Sequence, residues 1–139
     1  PAGGDSKENP TGDMTTQRAC FGCLWRGDIM LERDPFFFGN FIYAMWYGHA
    51  GNYDGGGLVY ESRSDGVRLN ALARWQSPQL YVALAFDKQR SASQTRAALD
   101  WAKATYGTDG RTPYNYAFWD KQTDSRLYCS QLTWKIHQR

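Results

Sequence analysis

Gly48-His49-Ala50-Gly51-Asn52-Tyr53 and Leu58-Val59-Tyr60-Glu61, joined by Asp54-Gly55-Gly56-Gly57, are the stretch on which the reading of the fold turns. Two extended runs around a glycine-rich connector predict a hairpin, because tight hairpin turns need positive φ angles that glycine adopts without steric cost. The two runs are therefore antiparallel neighbours. Downstream, Ser64-Asp65-Gly66 predicts a second turn, and Val67-Arg68-Leu69 a short extended piece after it. Upstream, Gly27–Glu32 places Ile29 and Leu31 on one face and Asp28 and Met30 on the other, as a strand does. Asn70–Trp75 reads as one or two helical turns. Gln79–Phe86, QLYVALAF, reads as a buried strand. Links of hairpin length make the sheet mostly antiparallel.

Helices close the chain. Ala92–Tyr106 is preceded by Ser91, with Gln94 completing a capping-box pattern and Gly107 standing just past the end. Ala98, Trp101, Ala102 and Thr105 carry its apolar spacing. Thr112-Pro113-Tyr114-Asn115 reads as a turn. Cys129–His137 has few breakers and spaces Leu132, Ile136 and the Lys135 stem along one side, which predicts a helix with Cys129 in its first turn. The fold class is α+β, a small antiparallel sheet packed against helices. Residues 1–17, with three glycines, two prolines and almost no apolar side chains, read as a flexible tail or linker before a single domain, residues 18–139.

The 139 residues suffice for one domain with its own core. Hydrophobic residues at 42% and charged residues at 22% exclude wholesale disorder. The longest apolar runs, Phe41–Tyr47 and Leu80–Phe86, are seven residues each. A bilayer span needs about 20, so no stable membrane insertion is expected. The net charge is +2 and the basic side chains are scattered, Lys88-Gln89-Arg90 being the densest group, so no nucleic-acid partner is expected. Pro1–Gly12 is polar and has no signal-peptide character. Cys20 and Cys23 have the spacing of half a zinc site, but no second pair of ligands matches them. They read as a local disulfide or two plain thiols, with no metal and no cofactor expected. The aromatic block Phe36, Phe37, Phe38, Phe41, Tyr43, Trp46 and Tyr47 reads as core wall, as one side of a substrate groove, or as a lipid contact.

Three residues could carry chemistry. Cys129 at a helix N-terminus would sit near unpaired N–H groups and the positive end of the helix dipole, both of which favour the thiolate; a buried structural cysteine is the rival reading. His49 begins a strand among small neighbours. Glu61 lies across the hairpin from it, where a carboxylate could hold the second imidazole nitrogen. A core histidine and a surface glutamate are the plain readings of those two. His137, on the last helix, reads as a surface residue. A thiolate, an imidazole and an orienting carboxylate together are the parts of a cysteine hydrolase.

Gly27-Asp28-Ile29, His49-Ala50-Gly51-Asn52-Tyr53, Val59-Tyr60-Glu61, Pro113-Tyr114-Asn115-Tyr116-Ala117-Phe118 and Tyr128-Cys129-Ser130-Gln131-Leu132-Thr133-Trp134, in that order, resemble the circularly permuted NlpC-like, papain-like cysteine hydrolases. The YiiX-like and lecithin:retinol-acyltransferase-like branches belong to this group. Ordinary NlpC-type peptidases place the cysteine first; here it follows the histidine by 80 positions. The resemblance implies Cys129 as nucleophile, His49 as general base and acid, and Glu61 as the third member. The backbone N–H of Cys129 or Ser130, with the Tyr114 phenol, would stabilise the oxyanion. Two departures are the long aromatic insertion before His49 and Asn52 where an aliphatic residue is usual.

The resemblance further implies a bacterial cysteine amidase or endopeptidase that cuts peptide bonds of peptidoglycan. The start at Pro1 and the glycine-rich tail suit a toxin or effector domain, such as one delivered to the periplasm or cell envelope by a type VI secretion system, with an immunity protein as partner. Two other readings stay open. One is a lipid acyl hydrolase or acyltransferase with the same thiol chemistry, and the other is a non-catalytic binding module.

Overall fold

The structure, a computed structural model, describes residues 20–33, 48–77, 81–85, 87 and 89–139. The expected tail at 1–17 and the aromatic block at 36–47 lie outside the described residues. Among the described residues there are five strands, β1 (Ile29–Arg33), β2 (His49–Gly55), β3 (Leu58–Arg63), β4 (Gly66–Ala71) and β5 (Tyr81–Ala85), followed by helices α1 (Ala92–Tyr106) and α2 (Cys129–Gln138). The sheet order is β4-β3-β2-β1-β5, and every pairing is antiparallel.

The glycine connector closes the β2–β3 hairpin as its composition predicts. Gly56 and Gly57 form the turn with φ of 61° and 76°. Both angles lie in the left-handed region that a side chain disfavours. Ser64-Asp65 joins β3 to β4 directly, pairing Arg63 with Gly66. Residues in register share a face of a sheet. Met30, Glu32, His49, Gly51, Val59 and Glu61 therefore line one face; Ala50, Asn52, Tyr60, Ser62 and Val67 line the other.

Each face has its own core. Tyr60 and Val67 pack with Ala98, Leu99, Ala102 and Tyr106 of α1, with Leu132 and Ile136 of α2, and with Leu127. On the opposite face Met30 and Val59 pack with Leu24 and Trp75. Polar straps fix the helices to the sheet. The Tyr60 hydroxyl donates to the carbonyls of Ala102 at 3.1 Å and Gly107 at 2.8 Å. Asn52 Nδ2 donates to Thr133 Oγ1 on α2 at 3.1 Å. Asn52 thus links strand to helix.

Helix α1 has the expected bounds and capping box, with Gln94 N donating to Ser91 Oγ at 3.2 Å and Ser91 N to Gln94 Oε1 at 2.9 Å. Its buried face is rotated from the expected one. Thr95, Ala98, Leu99, Ala102 and Tyr106 are buried, whereas Thr105 is exposed and turns its hydroxyl to the Trp101 carbonyl. Four other expectations are corrected. Asn70 and Ala71 extend β4, so only Leu72–Trp75 forms a helical turn, of the 3-10 kind. The apolar run around β5 forms the expected strand but pairs with β1 alone at the sheet edge, and Val82–Ala85 are half-buried rather than buried. Thr112–Asn115 is irregular chain, because Thr112 is drawn inward to donate to the Tyr106 carbonyl at 2.7 Å. The turn comes later, where Asp120 N donates to Ala117 O at 2.8 Å. His137 is not a plain surface residue: its side chain is 11% exposed, and Nδ1 lies 3.9 Å from Asp87 Oδ2.

Gly51 has room for nothing larger. A Cβ there would stand 2.7 Å from Trp75 Cζ2 and 2.8 Å from Val59 Cγ1, both in fully buried side chains. Gly51→Ala should lower stability by about 1–3 kcal/mol, measured by urea unfolding against Gly22→Ala, whose added methyl meets nothing within 4 Å. Equal midpoints for the two variants would show that the Trp75 packing against β2 is looser than described.

Candidate active site

Strand register makes the first contact of the site. Gly51 pairs with Glu61, so His49, two residues before Gly51, is the diagonal neighbour of Glu61 on the same face. Their side chains meet with His49 Nε2 and Glu61 Oε2 2.6 Å apart. Glu61 is completely buried. Its other oxygen, Oε1, accepts from Asn70 Nδ2 at 2.9 Å and lies 3.0 Å from Arg63 Nε. Arg63 reaches on to Glu32 Oε2 at 3.2 Å, and its guanidinium lies over the Trp75 ring, 5.6 Å from the centroid. Trp75 also backs the imidazole, with ring centroids 5.2 Å apart. The imidazole is thus held at Nε2 by a carboxylate and on its flank by an indole. Nδ1 is left for a second partner.

That partner is Cys129. It is the first residue of α2 and is buried, and its thiol and the His49 ring are within hydrogen-bonding reach. The backbone N–H groups of Ala50 and Ser130 also point at the sulfur, and the Tyr114 hydroxyl donates to it. The Ser130 side chain is exposed and takes no part. The α2 start is pinned from behind. Ser62 Oγ donates to the Leu127 carbonyl at 2.6 Å. Gln131 Oε1 accepts from Tyr128 N at 3.3 Å and from Asn115 Nδ2 at 3.2 Å, and Gln131 Nε2 donates to the Thr123 carbonyl at 3.1 Å. These bonds clamp the loop that carries Tyr114 onto the first turn of the cysteine helix.

Cys129, His49, Glu61, Ser130 through its backbone, and Tyr114 lie together in one place. Arg63, Asn70, Glu32 and Trp75 were not anticipated. The signal for two of them was present: Arg63 follows Glu61 by one strand period, and counting back from the Ser64-Asp65 turn sets Asn70 opposite Val59, diagonal to Glu61. Cys20 and Cys23 form a local disulfide, and Cys129 is the free thiol. Among the described residues no group of His, Cys, Asp or Glu side chains is arranged to hold a metal ion, and no helix is long and apolar enough to cross a membrane.

Residues 24–139 match the family of permuted papain-like amidase enzymes, YaeF/YiiX, the C92 family. The chain belongs to this family. No curated protein and no solved structure matches it. Membership of the C92 family accounts for the order of the parts, histidine strand first and cysteine helix last. It also selects the YiiX-like branch of the two named by the resemblance. The five-stranded sheet and two helices are consistent with a small papain-like fold.

The electrostatics favour a thiolate–imidazolium pair. Burial pushes the Cys129 thiol up, but the His49 hydrogen bond and charge, with the two backbone N–H groups, hold it below the ordinary 9.0. Burial pushes His49 down and Arg63 adds to that, but its bonds to Cys129 and Glu61 hold it above 6.5. The thiol loses its proton at lower pH than usual and the imidazole keeps its proton to higher pH. Both shifts run towards a thiolate beside an imidazolium. Iodoacetamide should alkylate Cys129 at a rate that is nearly flat through neutral pH, whereas in His49→Ala the rate should fall about tenfold per pH unit below the thiol pKa. A tenfold-per-unit slope in the wild type would refute the ion pair.

Proposed function

We propose that the chain is a thiol-dependent amide hydrolase in which Cys129 is the nucleophile, His49 the proton carrier and Glu61 its anchor. The observation that carries this reading is the 2.6 Å His49–Glu61 contact, with the same imidazole facing the free thiol at the α2 N-terminus. The Cys129 sulfur attacks the amide carbonyl carbon. Backbone N–H groups at the helix start and the Tyr114 hydroxyl take up the oxyanion charge. The His49 imidazolium gives its proton to the leaving amine as the C–N bond breaks. Neutral His49 then takes a proton from water, which attacks the thioester; the acid leaves and the thiol returns.

For substrate we propose the peptide amides of peptidoglycan, which the NlpC-like resemblance and the family's amidase description support. A second reading has its own observation. Tyr114 meets Tyr116 at a tilt with centroids 4.9 Å apart, Phe118 meets Tyr114 at 6.4 Å, and Phe118 meets Tyr128 at 5.6 Å. This group of rings starts at the thiol and ends in solvent, with Tyr116 65%, Phe118 55% and Trp119 84% exposed. Exposed rings beside a nucleophile suit an acyl chain, and so a lipid amide or ester.

Wild type and Cys129→Ala, incubated separately with purified peptidoglycan and with phospholipid vesicles, separate these readings by mass spectrometry of the products. The expected result is muropeptide fragments from the wild type, with the variant slowed by about ten-thousand-fold or more. Released fatty acid or lyso-lipid from the wild type alone would move the substrate to the acyl reading. Equal turnover by Cys129→Ala would overturn the thiol mechanism.

A further inference from the structure

His49 changes charge during the proposed cycle, and Glu61 is fully buried against it. A buried carboxylate whose cationic partner becomes neutral is driven to take a proton, because an unpaired charge away from water is costly. Glu61 would then be a neutral acid at the step in which His49 must accept a proton. A constant positive charge next to Glu61 prevents this, and Arg63 provides one. Its Nε lies 3.0 Å from Glu61 Oε1, and a guanidinium does not deprotonate in the working range of a protein.

The other groups around Glu61 cannot do the same. Asn70 donates from β4 but is neutral. Arg68 is the register partner of Glu61, but its guanidinium is turned to Asp65, 3.0 Å from Oδ2. Glu32 on β1 is anionic and sits on the far arm of Arg63. Cys129 on α2 reaches Glu61 only through His49. Burial raises Glu61, and the His49 bond together with the Arg63 charge more than offsets that, leaving it below the ordinary 4.5.

We infer that Arg63 is a positioning residue that acts through Glu61, keeping it an anion while His49 is neutral so that the imidazole stays anchored and ready to be protonated. The inference rests on the catalytic reading of Cys129, His49 and Glu61. The bland alternative is a salt bridge that only ties β3 to β1.

The test reads the NMR titration midpoint of the His49 ring, which needs no substrate, alongside thermal melting. Arg63→Met, Arg63→Lys and Glu61→Gln are compared with wild type, and Arg63→Met is repeated in the Glu61→Gln background. Without the fixed charge Glu61 takes a proton as His49 becomes neutral, so the imidazolium loses its anion and gives up its proton at lower pH. The His49 midpoint of Arg63→Met should move down by about one pH unit. Arg63→Lys should stay close to wild type, and Arg63→Met should add no downward shift once Glu61 is glutamine. Arg63→Gln carries the same expectation should the methionine variant not fold. An unmoved or raised midpoint with a lowered melting temperature overturns the inference in favour of the salt bridge, and so does a downward shift that persists without Glu61. A wild-type thiol that ignores iodoacetamide takes down the catalytic reading and this inference together.

Discussion

A carboxylate with no exposure to water is the constraint around which the rest of the molecule is arranged. Removing Glu61 from solvent is tolerable only if both oxygens are paired. One oxygen is taken by His49 at 2.6 Å and the other by Asn70 and Arg63. Those partners come from β2, β3 and β4, so the pairing of these three strands and the charge of Glu61 depend on each other. Arg63 brings in β1 through Glu32. The polar chain runs across the same face as the Met30, Val59 and Trp75 core. Trp75 links the two, lying beside the imidazole and under the guanidinium.

The Cys129 thiol belongs to the other layer. Helix α2 packs on the face that carries Tyr60 and Val67, and three polar contacts set where it begins: Asn52 to Thr133, Ser62 to the Leu127 carbonyl, and Gln131 to the loop before it. Each is buried or nearly so. A buried hydrogen bond fixes direction as well as distance, so a helix held this way can present its first residue to within a bond length of a target. Cys129 meets the imidazole where β2 begins. The Ala50 N–H, on the residue after His49, points at the same sulfur. One strand start thus supplies both the imidazole and a donor to the sulfur.

Much of this could be read from the residues because the determinants are local. The hairpin turn needs glycine at Gly56 and Gly57, the α1 ends are marked by Ser91 and Gly107, and the period of two puts His49 and Glu61 on one face. Position in the sheet is another matter. The run at Tyr81–Ala85 reads as a buried strand but lies at the edge, since strand order is settled by long-range packing that periodicity does not encode. Thr112 and His137 were misjudged for a related reason. A polar side chain looks like a turn or surface residue until its buried partner is known, here the Tyr106 carbonyl and the neighbourhood of Asp87. Arg63 escaped notice because an arginine near a strand end is ordinarily solvated; its meaning depends on Glu32 arriving from β1.

The permuted order has a physical consequence for how the site is assembled. His49 and Glu61 are only 12 positions apart, joined by a tight hairpin, so their contact closes a short loop at small entropic cost. The cysteine arrives on the last helix, after α1 and the aromatic loop have been laid down. The imidazole–carboxylate pair is therefore a property of the sheet, and the thiol is held against it by the packing of α2. The anchors of that packing, Thr133, Leu127 and Gln131, are not among the groups that hold the imidazole. The position of the thiol and the surroundings of the imidazole are then set by separate sets of residues. A substitution at Arg63 therefore changes the charges around Glu61 and His49 while the α2 contacts stay as they are.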